Sequence, residues 1–541
     1  MKVTIYDTTL RDGTQGEGVA FSARDKIRVA ELLDDLGIDY VEGGWPGSNP
    51  RDADFFRSAR ALKLKHARIS AFGSTCHPKY QPEQDPNLKA LLEAETPTVT
   101  IFGKSWDLHV TKALGITLDQ NLELIRASVA YLKSKGREVI YDAEHFFDGY
   151  RSLPEYALSA LQAAEEGGAD WIVLCDTNGG TLTSRVSEVV ADVTRLVKAP
   201  LGIHAHNDSD LAVANSIAAV TGGARQVQGT INGYGERCGN ANLCSIVPIL
   251  ELKLGRCAVG LGRLATLTTV SKAVAEVANM KHPNQLPFVG KSAFAHKGGV
   301  HVSAVMSDPA TYEHIVPEMT GNSRRVLVSD LSGKSNIVYK AEEMGVELDG
   351  DRSAAKPVVA KIKQLENEGY EYEAAEASLR LLIEEARGAR TDAFKLEEYR
   401  VVSSKQSNGS VTCEATVRVD LDGNSKEATA HGTGPVHALD QAIKVALKGW
   451  RSCLDAVRLC DYKVRVLDVL DQGLASASRV RVLVQTSDGE SVWGTVGVSN
   501  NIVEASCQAL ADAINYRLLF DLDDLDAPAE SGRRTPVSAV P

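Results

Sequence analysis

The sequence predicts an α/β protein whose first half forms a closed (β/α)8 barrel, the TIM-barrel fold. Short apolar strands alternate there with helical segments, a pattern typical of a parallel sheet. Eight strands fall within about 250 residues, the usual length of this barrel. An open doubly wound sheet is the alternative, but the count of eight and the polar side chains at nearly every strand end favour the barrel. The predicted strands are VTIYDTT, DYVEGG, ARISAF, TVTIFG, REVIYDAE, WIVLCDT, LGIHAH and QVQGTING.

The helices between these strands have start and stop signals, and the first one is typical. Ser22 is placed to cap its amino terminus, with Asp25 three residues later, and Gly37 is placed to end it. Apolar residues lie between them at helical spacing: Ile27, Ala30, Leu33 and Leu36.

The strand–helix alternation stops beyond Leu264. A helix (TTVSKAVAEVANM), a loop-rich segment (HPNQLPFVGKSAFAHKGGVHVSA) and charged helical sequence follow. From about Leu396 strands return in two similar halves, each of which ends in a helix, and this duplication predicts a ligand-binding or dimerisation domain. The predicted domains are a catalytic barrel (1–270), helical linking subdomains (271–392), a duplicated α+β domain (393–525) and a disordered tail (526–541).

Composition narrows the class of protein. The 541 residues carry a formal net charge of −12, which argues against a nucleic-acid partner. No apolar run is long enough for a signal peptide or a membrane span, so neither secretion nor a membrane is expected. Nine scattered cysteines without a CxxC pair indicate a reducing compartment, and we expect a cytoplasmic protein without a cysteine zinc site.

Residues at the ends of strands one, seven and eight predict a metal site. His204 and His206 are two apart on a strand and therefore point to the same side. Asp12 follows strand one and Asn240 follows strand eight, and these strands are neighbours in a closed barrel. Two imidazoles with oxygen ligands suit a catalytic divalent cation: Mn²⁺, Mg²⁺, Co²⁺ or Zn²⁺. The alternative is a polar barrel mouth without a metal.

Arg11 lies next to the predicted ligand Asp12, where a cation would repel it unless an anionic substrate bridged the two. A 2-oxo acid does this, because its carboxylate and keto oxygens bind the metal while Arg11 contacts the developing alkoxide or the carboxylate. The alternative is a structural arginine paired with Glu42 or Glu144.

Further polar residues follow other strands. Glu144 is a candidate acid/base or water-orienting group, or a salt-bridged barrel residue. Thr177 can bind a carboxylate or cap a turn, and Gln15 lies in the first loop. His301 lies outside the barrel after two glycines that can form a hinge. We interpret the GYGERCG glycines as allowing a tight loop around the metal rather than as a phosphate-binding loop.

Three segments together, DTTLRDG, HAHND and GYGERCGNAN, resemble the acyl-CoA condensing enzymes related to 2-isopropylmalate, homocitrate and citramalate synthases. The resemblance covers nearly the whole chain and includes a C-terminal domain like the leucine-binding regulatory domain of isopropylmalate synthases. Three finer segments, LRDGTQGEG, YVEGGWPGSNP and EHFFDGY, look like the (R)-citramalate synthase branch.

The resemblance implies a role for each matching position. It implies metal ligands at Asp12, His204, His206 and Asn240 and oxyanion stabilisation by Arg11. It also implies substrate contacts at Glu144 and Thr177, and a site completed by His301 and Tyr312, which assist proton removal. The implied reactants are acetyl-CoA and pyruvate, the implied feedback effector is isoleucine, and the implied assembly is a homodimer.

The acceptor and the reaction class leave alternatives. Trp45, Phe72 and Phe102 at strand ends favour a narrow pocket for pyruvate, although they can equally be core packing. The alternatives are 2-isopropylmalate synthesis from 2-oxoisovalerate, a metal-dependent aldolase or lyase, and an amino-acid-binding regulator with an inactive barrel. The long duplicated domain argues against the lyase, and the intact set of Arg11 and predicted ligands argues against the regulator.

Overall fold

The computed structural model describes residues 1–346, 355–388, 390, 392, 394–467 and 478–525. The chain divides into two compact units. The first comprises Met1–Phe294 and His314–Arg324, and the second comprises Ala295–Glu313 and Arg325–Pro541. The four predicted domain ranges stay predictions, and the predicted disordered tail, 526–541, lies outside the described residues.

The first unit contains a closed barrel of eight parallel strands, as predicted. Strands pair in sequence order, and β1 pairs with β8 to close the ring, with Tyr6 opposite Gln228. All eight predicted strands are therefore present, and the open-sheet alternative is wrong. The strands are β1 (Thr4–Asp7), β2 (Tyr40–Gly44), β3 (Arg68–Ser74), β4 (Thr98–Lys104), β5 (Glu138–Glu144), β6 (Trp171–Asp176), β7 (Leu201–Ala205) and β8 (Gln226–Gly229).

The helices of this unit pack around the barrel. The first begins at a capping box in which Ser22 and Asp25 bond each other's backbone, and Gly37 ends it in the left-handed conformation, as predicted. The helices are α1 (Ala23–Leu36), α2 (Pro50–Ala59), α3 (Pro86–Glu93), α4 (Asp107–His109), α5 (Leu118–Ser134), α6 (Phe146–Ser152), α7 (Pro154–Gly167), α8 (Thr183–Leu196), α9 (Ala212–Gly222), α10 (Leu243–Pro248), α11 (Leu261–Leu264) and α12 (Leu267–Val277).

The apolar core of the first unit lies between the strands and the surrounding helices. The barrel interior, by contrast, carries buried polar groups such as Glu42, Thr100, Asp142 and Gln228. Buried polar groups require hydrogen-bond partners, so these side chains are expected to form a hydrogen-bonded network inside the barrel.

The second unit begins with short elements and helices: β9 (Ala295–His296), α13 (Gly299–Ser307), β10 (Arg325–Val326), α14 (Lys334–Glu343), α15 (Ala355–Asn367) and α16 (Glu376–Ala386). The segment HPNQLPFVGKSAFAHKGGVHVSA was predicted to be rich in loops, and this is wrong for its last residues. They belong to α13, a helix in which Val302 and Val305 are buried. Two adjacent glycines weaken the helical signal there. Gly299 is required for packing, since a side chain would collide with the backbone of Gly333.

The predicted duplication is present in the rest of the second unit. Each half is a three-stranded antiparallel sheet with one helix packed against it. The first half is β11 (Phe394–Lys405), β12 (Val411–Leu421), β13 (Asn424–Gly432) and α17 (Pro435–Leu447). The second half is β14 (Arg458–Val466), β15 (Val480–Ser487), β16 (Val492–Ser499) and α18 (Ile502–Leu525). Within the described ranges, no helix is both long and apolar enough to span a membrane.

Candidate functional site

A cavity of about 250 Å³ lies at the carboxyl ends of the barrel strands. Seven polar residues that the sequence analysis singled out line it: Arg11, Asp12, Gln15, Glu144, Thr177, His204 and His206. Asn240 lies behind them and donates a hydrogen bond from Nδ2 to Asp12 Oδ2, at 2.8 Å. The barrel therefore brings the predicted residues of strands one, five, six, seven and eight to one place.

The predicted ligand residues lie close enough to one another to bind a single metal ion. Nε2 of His204 lies 3.2 Å from Asp12 Oδ2 and 3.3 Å from Nε2 of His206. The Asp12 carboxylate and both imidazoles form a buried group that could hold a metal ion. Within the described chain, Asn240 Oδ1 is buried without a hydrogen-bond partner, and a half-turn of the amide would direct this oxygen towards the histidines. This donor set fits a divalent cation.

The loop after β8 places Asn240. An isolated antiparallel β-bridge pairs Asn240 with His206, so the backbone of the loop is held beside the end of β7. Gly235 has φ +159°, and a side chain there would collide with Asn240 Oδ1. Gly239 has φ +90°, which favours glycine, and its backbone approaches that of Gly233. The glycines thus allow the tight turn of this loop, which agrees with the interpretation made from the sequence.

The electrostatics of the ligand group favour a charged carboxylate. Burial alone would raise the pKa of Asp12, but Arg11, His204 and His206 hold it far below its usual value. Burial and, to a smaller extent, the neighbouring His204 together lower the pKa of His206 to about 4. A neutral imidazole next to an ionised carboxylate is the protonation state that binds a metal.

Arg11 lies between the ligand group and a buried acid. Its Nε donates to Glu42 Oε2 at 2.6 Å, and its Nη1 lies 3.4 Å from Asp12 Oδ1. Its guanidinium carbon lies 3.7 Å from the centre of the Phe72 ring. Glu42 is fully buried and also accepts a hydrogen bond from Tyr6 at 2.7 Å. The ion pair with Glu42, which the sequence offered as the alternative role for Arg11, is therefore present. It fixes the position of the guanidinium group, and Arg11 still lines the cavity.

Glu144 and Thr177 have defined partners at the cavity wall. Lys104 forms an ion pair with Glu144. Thr177 Oγ1 accepts a hydrogen bond from the backbone N–H of His145 at 2.9 Å, so its own hydroxyl proton is free to donate elsewhere. His145 has φ +56°, and its ring nitrogen Nδ1 lies 3.3 Å from Asp148 Oδ2.

Three aromatic side chains form one wall of the cavity. Trp45 meets Phe72 and Phe102 edge-on, at centroid distances of 5.8 Å and 5.6 Å. Phe72 and Phe102 are stacked at 5.5 Å. All three line the cavity, as the sequence-based pocket hypothesis requires.

His301 and Tyr312 belong to the second unit. Their rings are stacked with centroids 4.2 Å apart. His301 lies near the start of α13 and Tyr312 is 46% exposed, so a large part of its ring is accessible.

Sequence reasoning missed two polar residues beneath the ligand group. Gln228 accepts from Nδ1 of His204 at 2.8 Å, and its own Nε2 donates to Asp142 Oδ1 at 3.0 Å. The available signal was period-two alternation: Asp142 shares a strand face with Glu144, and Gln228 shares one with Gln226. Burial raises the pKa of Asp142 to about 7.

Three family profiles cover most of the chain. The profile described as HMGL-like matches residues 2–273. The profile described as the homocitrate synthase post-HMGL domain-like region matches residues 288–370. The profile described as the LeuA allosteric (dimerisation) domain matches residues 373–518.

Full-length relatives are also similar. The (R)-citramalate synthase of Aquifex aeolicus is 54% identical over 97% of this chain and 99% of its own length. The (R)-citramalate synthase of Geobacter sulfurreducens is 52% identical over 95% and 97%, respectively. A probable 2-isopropylmalate synthase of Methanopyrus kandleri is 32% identical over 95% and 98%. The predicted family is confirmed, and the chain belongs to the (R)-citramalate synthase family, whose barrel is of the HMGL-like type.

Proposed function

We propose that the barrel condenses acetyl-CoA with pyruvate and water to give (R)-citramalate and CoA, the first step of a pyruvate route to isoleucine. The observation that carries this proposal is the small cavity that Asp12, His204, His206 and Arg11 line together, with aromatic side chains forming one of its walls. The similarity to (R)-citramalate synthases supports pyruvate over 2-oxoisovalerate, the acceptor of the runner-up, 2-isopropylmalate synthase.

Asp12, His204, His206 and Asn240 would hold the divalent cation, with Mn²⁺, Mg²⁺, Co²⁺ and Zn²⁺ as candidates. When bound, such a cation supplies a Lewis acid that polarises the keto oxygen of the acceptor. Thr177 donates its free hydroxyl proton to the acceptor carboxylate, and Gln15 contributes a further contact at the exposed rim.

Arg11 stabilises the alkoxide that forms when the enolate of acetyl-CoA attacks the keto carbon. Because Glu42 fixes its Nε, the remaining guanidinium N–H groups are oriented before the charge develops. Glu144 orients a water molecule for hydrolysis of the thioester, and Lys104 keeps this carboxylate in place. We assign assistance in removing the methyl proton to His301 and Tyr312, on the basis of their sequence match to the family.

The reaction is tested by measuring thiol release from acetyl-CoA in the presence of a divalent metal. Four acceptors are compared in parallel: pyruvate, 2-oxobutyrate, 2-oxoisovalerate and 2-oxoglutarate. We expect pyruvate to give by far the highest kcat/KM. A preference for 2-oxoisovalerate would overturn the acceptor assignment, and no release with any acceptor would favour the lyase or the inactive-barrel alternative.

Removing Trp45 should relax the choice of acceptor. The indole closes one side of the cavity, so Trp45→Ala opens space for a longer side chain. One methylene in an apolar pocket changes discrimination about 10-fold or more, so the kcat/KM ratio of 2-oxobutyrate to pyruvate should rise by about that factor. Trp171→Ala is the control, because Trp171 begins β6 at the opposite end of the barrel. An unchanged ratio in Trp45→Ala would refute steric selection at this position.

We propose that the duplicated domain binds isoleucine as a feedback effector and joins two copies into a homodimer. The similarity to the LeuA allosteric (dimerisation) domain supports both parts. A cavity of about 690 Å³ lies between α17, α18 and β14. Apolar side chains that suit a branched aliphatic group form much of its lining, among them Ile443, Leu447, Leu454, Val457 and Leu510. Asp440, Lys444 and Arg458 supply charges of both signs, as a zwitterion requires.

Filling this cavity should weaken inhibition. Val457 is half-buried in its lining, so Val457→Trp places an indole where the effector side chain would bind. The isoleucine concentration for half-maximal inhibition should rise by about 10-fold or more, measured against uninhibited turnover of the same preparation. Val445→Trp is the matched control, since Val445 is 48% exposed on α17. Equal inhibition of both variants would place the effector elsewhere.

Three cysteines, Cys238, Cys257 and Cys460, are exposed thiols that form no disulfide. Free exposed thiols persist in a reducing compartment, which supports our proposal of a cytoplasmic enzyme.

A further inference from the structure

A buried chain of hydrogen bonds runs from His204 across the barrel interior. Nδ1 of His204 donates to Gln228 Oε1 at 2.8 Å, and Gln228 Nε2 donates to Asp142 Oδ1 at 3.0 Å. Gln228 is fully buried and Asp142 is 3% exposed. The three residues lie on β7, β8 and β5, so the chain links strands that are far apart in the sequence.

The direction of these bonds is fixed at both ends. Asp142 Oδ1 accepts a hydrogen bond whether the carboxyl group is ionised or carries its proton on Oδ2, so it orients the amide of Gln228 with Nε2 towards it. The amide oxygen of Gln228 then faces His204 and requires a proton on Nδ1. A neutral imidazole that carries its proton on Nδ1 has its lone pair on Nε2, the atom that faces Asp12 and His206.

We propose that Gln228 and Asp142 are positioning residues that hold His204 in the Nδ1–H tautomer and keep its Nε2 available to the metal. This inference rests on the metal site of the proposed function. A partner on the second ring nitrogen of a ligating histidine fixes the ring and increases its basicity, and its loss typically costs 10–100-fold in metal affinity. The usual partner is a carboxylate or a backbone carbonyl. Here the partner is the side-chain amide of Gln228, and the Asp142 carboxyl group in turn fixes the orientation of that amide.

The neighbouring Gln226 provides a matched control for burial and polarity. It lies two residues earlier on the same face of β8 and is also fully buried, and among the described residues its side chain makes only a long contact of 3.4 Å with Gln228. Replacing either glutamine with methionine removes the same amide and preserves most of the volume. Only the change at Gln228 interrupts the chain to His204.

The test measures binding of Co²⁺ alone to the full chain, by titration calorimetry and by the visible absorption of the bound ion. We expect Gln228→Met to lower the affinity by about 10–100-fold and to change the spectrum. Gln226→Met should retain the affinity and the spectrum of the unsubstituted protein. Equal loss in both variants, or no loss in Gln228→Met, would overturn the inference.

A double substitution keeps the test decisive if Gln228→Met fails to fold. In Gln228→Glu the new carboxylate still accepts from His204, but it faces Asp142 and the two acids repel each other. Adding Asp142→Asn replaces the second acid with an amide. The N–H of this amide donates to the carboxylate introduced at position 228, so a hydrogen bond joins the two side chains again. The double variant should therefore regain most of the Co²⁺ affinity lost in Gln228→Glu, and failure to do so would refute the chain. If the unsubstituted protein binds no Co²⁺, the proposed metal site itself is wrong.

Discussion

Replacing Asp12 with asparagine is expected to reduce turnover by about 10³-fold and to weaken divalent-metal binding strongly. The carboxylate is the one acid of the ligand group, and it lies 3.2 Å from His204 and 3.4 Å from Arg11. An amide of the same shape is a weaker ligand and leaves the Arg11 charge without its second partner. Several kcal/mol of transition-state stabilisation come from a bound cation, and each 1.36 kcal/mol corresponds to a factor of ten.

Two measurements check this prediction. Thiol release gives turnover, and thermal unfolding with and without Mn²⁺ reports binding, because a ligand that binds only the folded state raises the Tm. The Tm of the unsubstituted protein should rise with Mn²⁺, whereas that of Asp12→Asn should not. Asp210→Asn is the control, since Asp210 lies in the exposed loop after β7. Normal Mn²⁺ stabilisation of Asp12→Asn would remove Asp12 from the ligand set.

Replacing Arg11 with lysine is expected to lower kcat by about 10²–10³-fold while metal binding persists, because one preorganised oxyanion donor carries that much of the rate. The guanidinium contacts Glu42 and Asp12 at once and lies against Phe72. A lysine ammonium keeps the charge, but it cannot reproduce the fork or the stacking.

The split between kinetic constants distinguishes an oxyanion role from simple binding of the acceptor. Loss of transition-state stabilisation lowers kcat, whereas loss of uniform binding raises KM alone. We therefore expect kcat to fall more than KM for pyruvate rises, with Mn²⁺ stabilisation intact. Arg24→Lys, on α1, is the control for an arginine outside the cavity lining. A variant with unchanged kcat and raised KM would limit Arg11 to binding the acceptor.

The eight strands, the first helix and the candidate ligand group could all be predicted from the sequence, because their signals are local or follow from closure. Alternation places His204 and His206 on one face of β7. Closure makes β1 the neighbour of β8, so Asp12 and Asn240 meet although 228 residues separate them. No packing calculation is needed for either step, since the strand order of a closed barrel is its sequence order.

Helix α13 was missed because its signal is ambiguous. Gly298 and Gly299 suggested a hinge, but the close approach of Gly299 to Gly333 and the burial of Val302 decide the conformation. Tertiary contacts override local propensity in such a segment.

By itself, the sequence determined the barrel, the duplicated second half, the family and the residues that gather at the strand ends. Only the tertiary structure decided which partner each polar group takes: Glu42 for Arg11, Lys104 for Glu144, and Gln228 with Asp142 for His204. These choices depend on strand register and on side-chain rotamers across the barrel interior, and both are set by long-range packing. Local periodicity fixes which face a residue occupies, but not which of several buried groups it will contact.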